Sequence, residues 1–144
     1  MDHNFRDDLI FVGGHWQKGS GAPIPSQFAA EGCVNTTLSG ASSEDLELAI
    51  ARARDAQPAW GALKPHDRAT VLYRMSEGIA ANIDRIAWVQ SRDTSKTLTE
   101  TRALATSAAG TFRYFAAVAE TSDELLTVPR GDYTTASIHE PLGL

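Results

Sequence analysis

The sequence contains one cysteine in 144 residues, so the chain cannot form an internal disulfide. It has neither of the glycine-rich phosphate-binding patterns, G-x-G-x-x-G and G-x-x-x-x-G-K-[ST]. No apolar run is long enough to cross a membrane, because Asp84, Arg85 and Arg92 interrupt the most apolar region. The acidic N-terminus is not followed by a signal-peptide core. These absences predict a cytoplasmic protein that does not contact a membrane.

Basic residues are also few. The chain has 13 Lys and Arg against 18 Asp and Glu, giving a net charge of −5. No face combines basic residues with interleaved aromatic side chains, so nucleic acid is not an expected partner. Hydrophobic residues make up 42% of the chain and charged residues 22%, as in an ordinary globular protein that buries an apolar core.

The residues that usually carry chemistry do not form a catalytic group. Cys33 is the only thiol and lies in an apolar strand candidate, whereas a reactive cysteine needs a base or positive charge nearby. The histidines are too widely spaced for a zinc site; they are His3, His15, His66 and His139. Asp93, between Arg92 and Lys96, is typical of a helix-terminal ion pair.

The first 40 residues alternate between strand and turn signals. Residues 9–12 form an apolar run that ends at Gly13-Gly14, and residues 17–22 are predicted to be a polar loop. Residues 24–28 are a second strand candidate, which Pro23 and Pro25 confine to a sheet edge, and residues 33–38 are a third on their β-branched content. Together the three strands predict a small antiparallel sheet.

Three amphipathic helices are predicted after the sheet. Ser42 and Asp45 form the capping box of the first helix, which is predicted to end at Pro58. The second helix begins at Pro65 and runs for about 25 residues, roughly 37 Å. Thr97 begins the third helix.

Each predicted helix has an apolar stripe at helical spacing. The stripes comprise Leu46, Ala49, Ile50 and Ala53 in the first helix; Val71, Leu72, Met75, Ile79, Ile83, Ile86 and Val89 in the second; and Leu104, Ala108, Phe112, Phe115 and Ala119 in the third. A strand is predicted at residues 133–139. No run of buried parallel strands is available for the helices to cover, so composition and periodicity predict an α/β piece of a larger unit.

Six short motifs, in order along the chain, resemble the N-terminal segment of the aldehyde dehydrogenase superfamily. They are F-V-G-G-H-W at 11–16, the first helix at 42–60, the start of the second at 65–72, D-T-S-K at 93–96, F-R-Y-F-A at 112–116 and E-P-L-G at 140–143. Ser95 stands where the family has glycine. If that position requires a positive φ angle, serine is strained there.

The resemblance implies that residues 1–122 are the N-terminal part of a Rossmann-like cofactor domain and that residues 123–144 begin an oligomerisation arm. It implies a homo-oligomeric enzyme that oxidises an aldehyde to a carboxylic acid with NAD or NADP. The family's nucleophilic cysteine, general-base glutamate and cofactor loops follow E-P-x-G. The resemblance therefore implies no catalytic or cofactor-binding residue in this chain, which is expected to be inactive alone.

The resemblance also implies a metal site. Some family members bind a structural monovalent cation through main-chain carbonyls and one carboxylate, and the matching positions here are Ser26, Gln27 and Asp93.

Two hypotheses about function follow. The chain is either the leading part of an aldehyde dehydrogenase or a non-catalytic helical interaction module derived from that family. The reading frame after Leu144 separates them, because downstream catalytic motifs favour the enzyme and a stop codon favours the module.

Overall fold

The computed structural model describes residues 9–121, 125–126, 128 and 131–143. Two β-hairpins precede four helices, and two short strands follow them. The strands are β1 (Leu9–Val12), β2 (His15–Lys18), β3 (Pro23–Phe28), β4 (Cys33–Ser39), β5 (Leu125–Leu126) and β6 (Ala136–Ser137). The helices are α1 (Ser43–Gly61), α2 (Pro65–Ala80), α3 (Ile83–Thr94) and α4 (Leu98–Thr121). The predicted α/β class is confirmed.

The first two strands form a tight hairpin. Gly13 and Gly14 connect β1 to β2 and both have positive φ angles, 58° and 87°, which favour glycine at these two positions. Opposite each other across the hairpin, Phe11 and Trp16 place their ring centroids 5.0 Å apart. The prediction missed β2, because its sequence is polar and its pairing depends on the glycine turn. β3 and β4 form a separate antiparallel hairpin, so the three predicted strands do not share one sheet.

Helix α1 begins as predicted but ends later. The Ser42 hydroxyl accepts a hydrogen bond from the Asp45 amide at 3.2 Å, and the Asp45 carboxylate accepts one from the Ser42 amide at 2.9 Å. Pro58 lies inside the helix, so the prediction that it ends the helix is wrong. The Ala62 amide donates to the Pro58 carbonyl at 3.0 Å, so the last turn continues past the proline.

The predicted long helix is two helices, so the residues that the structure describes form four helices where three were expected. Helix α2 ends at Ala80 and α3 begins at Ile83. Between them, the Asn82 side chain donates to the Gly78 carbonyl at 2.8 Å and occupies one of the acceptors left open at the end of α2. An asparagine side chain can take the carbonyl that a backbone amide would use in a continuous helix. The prediction missed this break because the apolar residues at 79, 83 and 86 keep helical spacing across it.

Helices α2 and α4 contact each other through small side chains. The buried residues of α4 are Thr101, Ala105, Ala109 and Ala116. On α2, Ala69 is fully buried, and the buried Ser76 hydroxyl donates to the Ala109 carbonyl at 2.8 Å. The predicted α4 stripe is therefore wrong for two of its three large members: Leu104 is 39% exposed and Phe115 54% exposed, whereas Phe112 is half-buried. Small residues occupy the contact because they let the two backbones approach closely.

The described residues bury few large apolar side chains. Their buried hydrophobic residues are Val12, Ala69, Ala87, Ala105, Ala109 and Ala116. Helix α1 has no buried residue, so its predicted buried stripe is wrong; Leu46 is 57% exposed. The accessible surface is 10950 Å², whereas a compact monomer of this mass exposes about 7,200 Å². The four helices do not enclose a core of their own.

The C-terminal strand β6 is shorter than predicted, and β5 was not predicted. Within the predicted strand at 133–139, only Ala136 and Ser137 form a ladder, and they pair with Leu126 and Leu125. The predicted boundary between residues 1–122 and 123–144 lies outside the described residues and stays a prediction. In the part of the chain that the structure describes, no helix is both long and apolar enough to cross a bilayer.

Asp45 makes the start of α1 sensitive to acid. Hydrogen bonds from the Ser20 and Ser42 amides and the Ser20 hydroxyl lower its pKa from 3.8 to about 2. The stabilisation that Asp45 contributes is therefore complete above pH 3.8 and is lost as the pH falls towards 2. We expect Asp45→Asn to lower the urea midpoint for loss of helical circular dichroism at pH 6, and the difference from the parent chain to shrink near pH 2. A difference that is constant over this range would contradict the role of the charged form.

Candidate functional site

The predicted cation-site residues lie where the β3–β4 hairpin meets the C-terminal end of α3, here called the hairpin–helix junction. The Ser26 hydroxyl donates to Asp93 Oδ1 at 2.8 Å, joining residues 67 positions apart. Gln27 follows Ser26 on β3 and pairs with Val34 in the ladder. The structure thus brings Ser26 and Asp93 into contact and places Gln27 beside them with an exposed side chain.

A β-bulge aims an amide side chain into the junction. Ser26 pairs with Thr36 and Gln27 pairs with Val34, which leaves Asn35 as the extra residue on β4. Its Nδ2 donates to the Arg92 carbonyl at 2.9 Å and, at 3.4 Å, to the Ser26 hydroxyl. Its Oδ1 accepts from Arg92 Nε at 3.0 Å. Asn35 therefore links the predicted site on β3 to the last turn of α3.

The Arg92 guanidinium lies against the hairpin. It sits 4.0 Å from the ring centroid of Phe28, a distance at which a cation is attracted to the aromatic face. Arg92 Nη1 is 3.7 Å from Glu31 Oε2, and Nη2 is 3.8 Å from Cys33 Sγ. Cys33, predicted to be structural, is half-buried, and its thiol lies 3.8 Å from the same Glu31 oxygen.

Ser95 ends α3 in the left-handed conformation, with φ 61° and ψ 18°. Among the residues that the structure describes, it is the one non-glycine residue with a positive φ angle. This conformation costs an L-residue about 1–2 kcal/mol. The Ser95 hydroxyl accepts a hydrogen bond from the Ala30 amide at 3.0 Å, which offsets part of the strain by holding the hairpin turn on the helix end.

The donor chemistry of the junction fits a hard cation. Asp93 supplies a carboxylate and Ser26 a hydroxyl, and the C-terminal carbonyls of α3 carry partial negative charge. The described residues contain no group of three or more His, Cys, Asp or Glu side chains able to hold a metal ion. A single carboxylate with neutral oxygens suits a monovalent ion better than a transition metal, which prefers nitrogen or sulfur ligands.

A second polar group joins α2 to the end of α4. Glu120 accepts a hydrogen bond from the Tyr73 hydroxyl at 3.2 Å, and its other oxygen lies 2.8 Å from His66 Nδ1. Partial burial, reinforced by the bond to the Glu120 carboxylate, raises the pKa of Tyr73. The imidazole of His66 is largely exposed, so this group is a surface clamp between helices and not an enclosed catalytic site.

The sequence interpretation missed Asn35 and the bonding role of Arg92. An asparagine among β-branched residues in Cys-Val-Asn-Thr-Thr-Leu was an available signal, since asparagine is depleted in strands and often marks an irregular position. The contacts of Arg92 could not be inferred, because they join residues 57 or more positions apart.

Comparison with known proteins identifies relatives that match most of the chain. The model of the aldehyde dehydrogenase family matches residues 16–144. A betaine aldehyde dehydrogenase from Cereibacter sphaeroides is 36% identical over 126 residues, covering 87% of this chain and 26% of that protein. An aldehyde dehydrogenase from Paracoccus denitrificans is 30% identical over 93% of this chain and 27% of its own length.

Solved structures share the fold. An aldehyde dehydrogenase from Brucella melitensis biovar abortus 2308 matches with a TM-score of 0.84 and 26% identity, over 90% of this chain and 27% of that one. PnpE, solved in complex with nicotinamide adenine dinucleotide, matches with a TM-score of 0.82 over the same shares, at 24% identity. In every one of these comparisons, this chain spans about a quarter of the other protein's length.

The geometry at Ser95 predicts different outcomes for two small substitutions. Ser95→Ala keeps the left-handed strain and loses the bond to the Ala30 amide, so we expect a loss of about 1 kcal/mol. Ser95→Gly loses the same bond but removes the strain, so its net effect should lie within about 1 kcal/mol of zero. Urea unfolding followed by circular dichroism measures both. Equal stability of the alanine and glycine variants would contradict the strained geometry.

Proposed function

Because the chain belongs to the aldehyde dehydrogenase family, we propose that it is the N-terminal part of the cofactor-binding domain of an NAD(P)-dependent enzyme that oxidises an aldehyde to a carboxylic acid. The observation that carries the proposal is the family match over residues 16–144, together with the fold shared with a solved aldehyde dehydrogenase. Since the chain spans about a quarter of its relatives, the reaction is proposed for the complete enzyme.

The role proposed for these 144 residues is to form a scaffold. When bound, NAD or NADP accepts the hydride removed from the substrate. This chain has no glycine-rich loop to hold its pyrophosphate, so no step of the reaction is assigned to the chain's residues. They contribute two packed units. One is the pair of helices α2 and α4, and the other is the β3–β4 hairpin, which is attached to the end of α3 through the Asn35–Arg92 and Ala30–Ser95 hydrogen bonds.

We propose Ser26, Gln27 and Asp93 as the chain's part of a structural site for a monovalent cation. Support comes from the 2.8 Å contact between Ser26 and Asp93 and from the all-oxygen donor set at a helix C-terminus. Main-chain carbonyl oxygens of residues 26 and 27 would be neutral ligands of the cation. Asp93 would then be the one ligand whose negative charge balances the charge of the ion.

The complete enzyme is proposed to be a cytoplasmic homo-oligomer, with residues 123–144 beginning the arm between subunits. The single cysteine supports a reducing compartment. The β5–β6 pair is short and its side chains at 126, 136 and 137 are exposed, as expected of strands that await a larger sheet.

A chimaera tests the proposed activity. This chain would replace the 126 matched residues of the betaine aldehyde dehydrogenase from Cereibacter sphaeroides, and formation of NADH or NADPH would be followed with betaine aldehyde. We expect aldehyde oxidation by the chimaera and none by the 144 residues alone. A correctly folded chimaera without activity would contradict the proposed function. Turnover by the isolated chain that survives Cys33→Ala would contradict the scaffold role.

The cation proposal predicts a potassium effect that depends on Asp93. In the same chimaera, we expect potassium chloride to raise the Tm above that in tetramethylammonium chloride of equal ionic strength. Asp93→Ala should abolish the difference. Asp84→Ala is the matched control, because it removes a carboxylate from the same helix but from an exposed ion pair with Arg102. An Asp93→Ala variant that keeps the full potassium response would disprove the site.

A further inference from the structure

Asp93 is flanked in sequence by two basic residues, but neither pairs with it in the described part of the chain. Arg92 Nη1 lies 3.7 Å from Glu31 Oε2. Lys96 pairs with Glu100 one helical turn later, with Nζ 3.5 Å from a carboxylate oxygen. The Asp93 carboxylate instead accepts a hydrogen bond from an uncharged hydroxyl. Its negative charge is therefore not offset by either basic neighbour.

The Asn35 amide separates the Arg92 guanidinium from Asp93. On one side, Asn35 Oδ1 accepts a hydrogen bond from Arg92 Nε at 3.0 Å. On the other side, its Nδ2 donates at 3.4 Å to the Ser26 hydroxyl, which itself donates to Asp93 Oδ1 at 2.8 Å. The half-buried amide thus directs its oxygen toward the cationic group and its N–H toward the side of the carboxylate. In this series of contacts, it stands between two opposite charges that attract each other.

Other contacts hold the Arg92 side chain on the hairpin. Its guanidinium carbon lies 4.0 Å from the centroid of the Phe28 ring, and its Nη1 faces Glu31. The Asn35 amide also donates to the Arg92 carbonyl at 2.9 Å, so one side chain binds both the backbone and the side chain of the arginine. To reach Asp93, the guanidinium would have to cross the place of the Asn35 amide, because that amide contacts both Arg92 and the hydroxyl bound to Asp93.

An arginine bound to Asp93 would compete with a cation for the same carboxylate. A guanidinium–carboxylate pair is stronger than a hydrogen bond from the guanidinium to a neutral amide, so an unrestrained Arg92 would favour Asp93. We propose that Asn35 is a positioning residue of the cation site: it holds Arg92 on the hairpin and thereby keeps the Asp93 carboxylate available to a monovalent cation. The inference rests on the proposed cation site and adds the residues that regulate it.

A rescue experiment in the chimaera tests the role of Asn35. The measured quantity is the rise in Tm in potassium chloride over tetramethylammonium chloride of equal ionic strength. In Asn35→Ala the guanidinium can reach Asp93, so we expect most of this rise to be lost. In the double variant Asn35→Ala/Arg92→Leu no guanidinium competes, so the rise should return. A loss of packing alone would lower the Tm in both salts, and the second substitution would not reverse it.

Asn82→Ala is the matched control for Asn35→Ala. It also removes a side-chain amide that donates to a main-chain carbonyl, but this amide lies at the end of α2 and bonds to Gly78. We expect Asn82→Ala to keep the full rise in Tm with potassium, whatever its effect on the Tm itself.

Arg92→Leu alone gives a second, independent measurement. It removes a positive charge near the site while Asn35 keeps its bond to the main-chain carbonyl of residue 92. Weaker repulsion should strengthen potassium binding, and a tighter ligand stabilises the folded protein at a lower concentration. We expect half of the rise in Tm to be reached at a potassium concentration about twofold lower than in the parent chimaera, as for the loss of one unit charge several ångströms from the ion in a solvent-exposed setting.

The remaining outcomes overturn the inference. If Asn35→Ala folds and keeps the parent response to potassium, or if the double variant does not recover a lost response, Asn35 does not act by restraining Arg92. If Asn35→Ala fails to fold, Arg92→Leu decides, because a weaker response to potassium in that variant rules out competition between the two cations. A parent chimaera without a response that depends on Asp93 overturns the proposed cation site and this inference together. A response that Asp93→Ala abolishes and Asn35→Ala leaves intact overturns the inference alone.

Discussion

The close contact between α2 and α4 is the interaction on which the helical part of the structure depends. Its residues are small, so the backbones approach closely enough for the Ser76 hydroxyl to reach the Ala109 carbonyl of the opposite helix. A larger side chain at Ala69 or Ala109 would separate the helices and break that bond. Because small residues fill the contact, large apolar residues of α4 such as Leu104 and Phe115 lie elsewhere on its circumference and are exposed.

The hairpin–helix junction is held differently, by polar groups at the end of α3. The bulge at Asn35 directs its side-chain amide toward Arg92. Ser95 has a strained left-handed backbone, and its hydroxyl accepts a hydrogen bond from the Ala30 amide. A hairpin of two strands is marginal by itself, so these bonds and the contact of Arg92 with Phe28 keep it in place. The Ser26–Asp93 contact is therefore a product of how the hairpin is anchored, and the cation proposal depends on the same anchoring.

Local rules predicted the elements that local interactions determine. The capping box at Ser42, the start of α2 at Pro65 and the Gly13-Gly14 turn are all where the sequence placed them. Pro58 was wrongly predicted to end α1, and the break at Asn82 was missed. In both cases one lost or redirected hydrogen bond competes with the hydrogen bonds of the surrounding helix, and sequence alone does not show which prevails. At the site, the family resemblance grouped Ser26 with Asp93, which the structure places in contact. It gave no indication of Asn35, because a bulge depends on the register of the partner strand.

The apolar stripes show why periodicity alone misplaces a core in a chain of this kind. The pattern on α4 predicted burial of Leu104 and Phe115, yet in this chain both are exposed. Hydrophobic spacing shows which face of a helix is suited to burial. It does not show whether the segment that buries that face lies within the same 144 residues. The buried alanines identify contacts made within the chain, whereas the exposed large residues identify apolar surface that those contacts leave exposed. Which apolar side chains of α4 are buried and which are exposed is therefore known only from the structure. Neither the sequence pattern nor the fold class gives it.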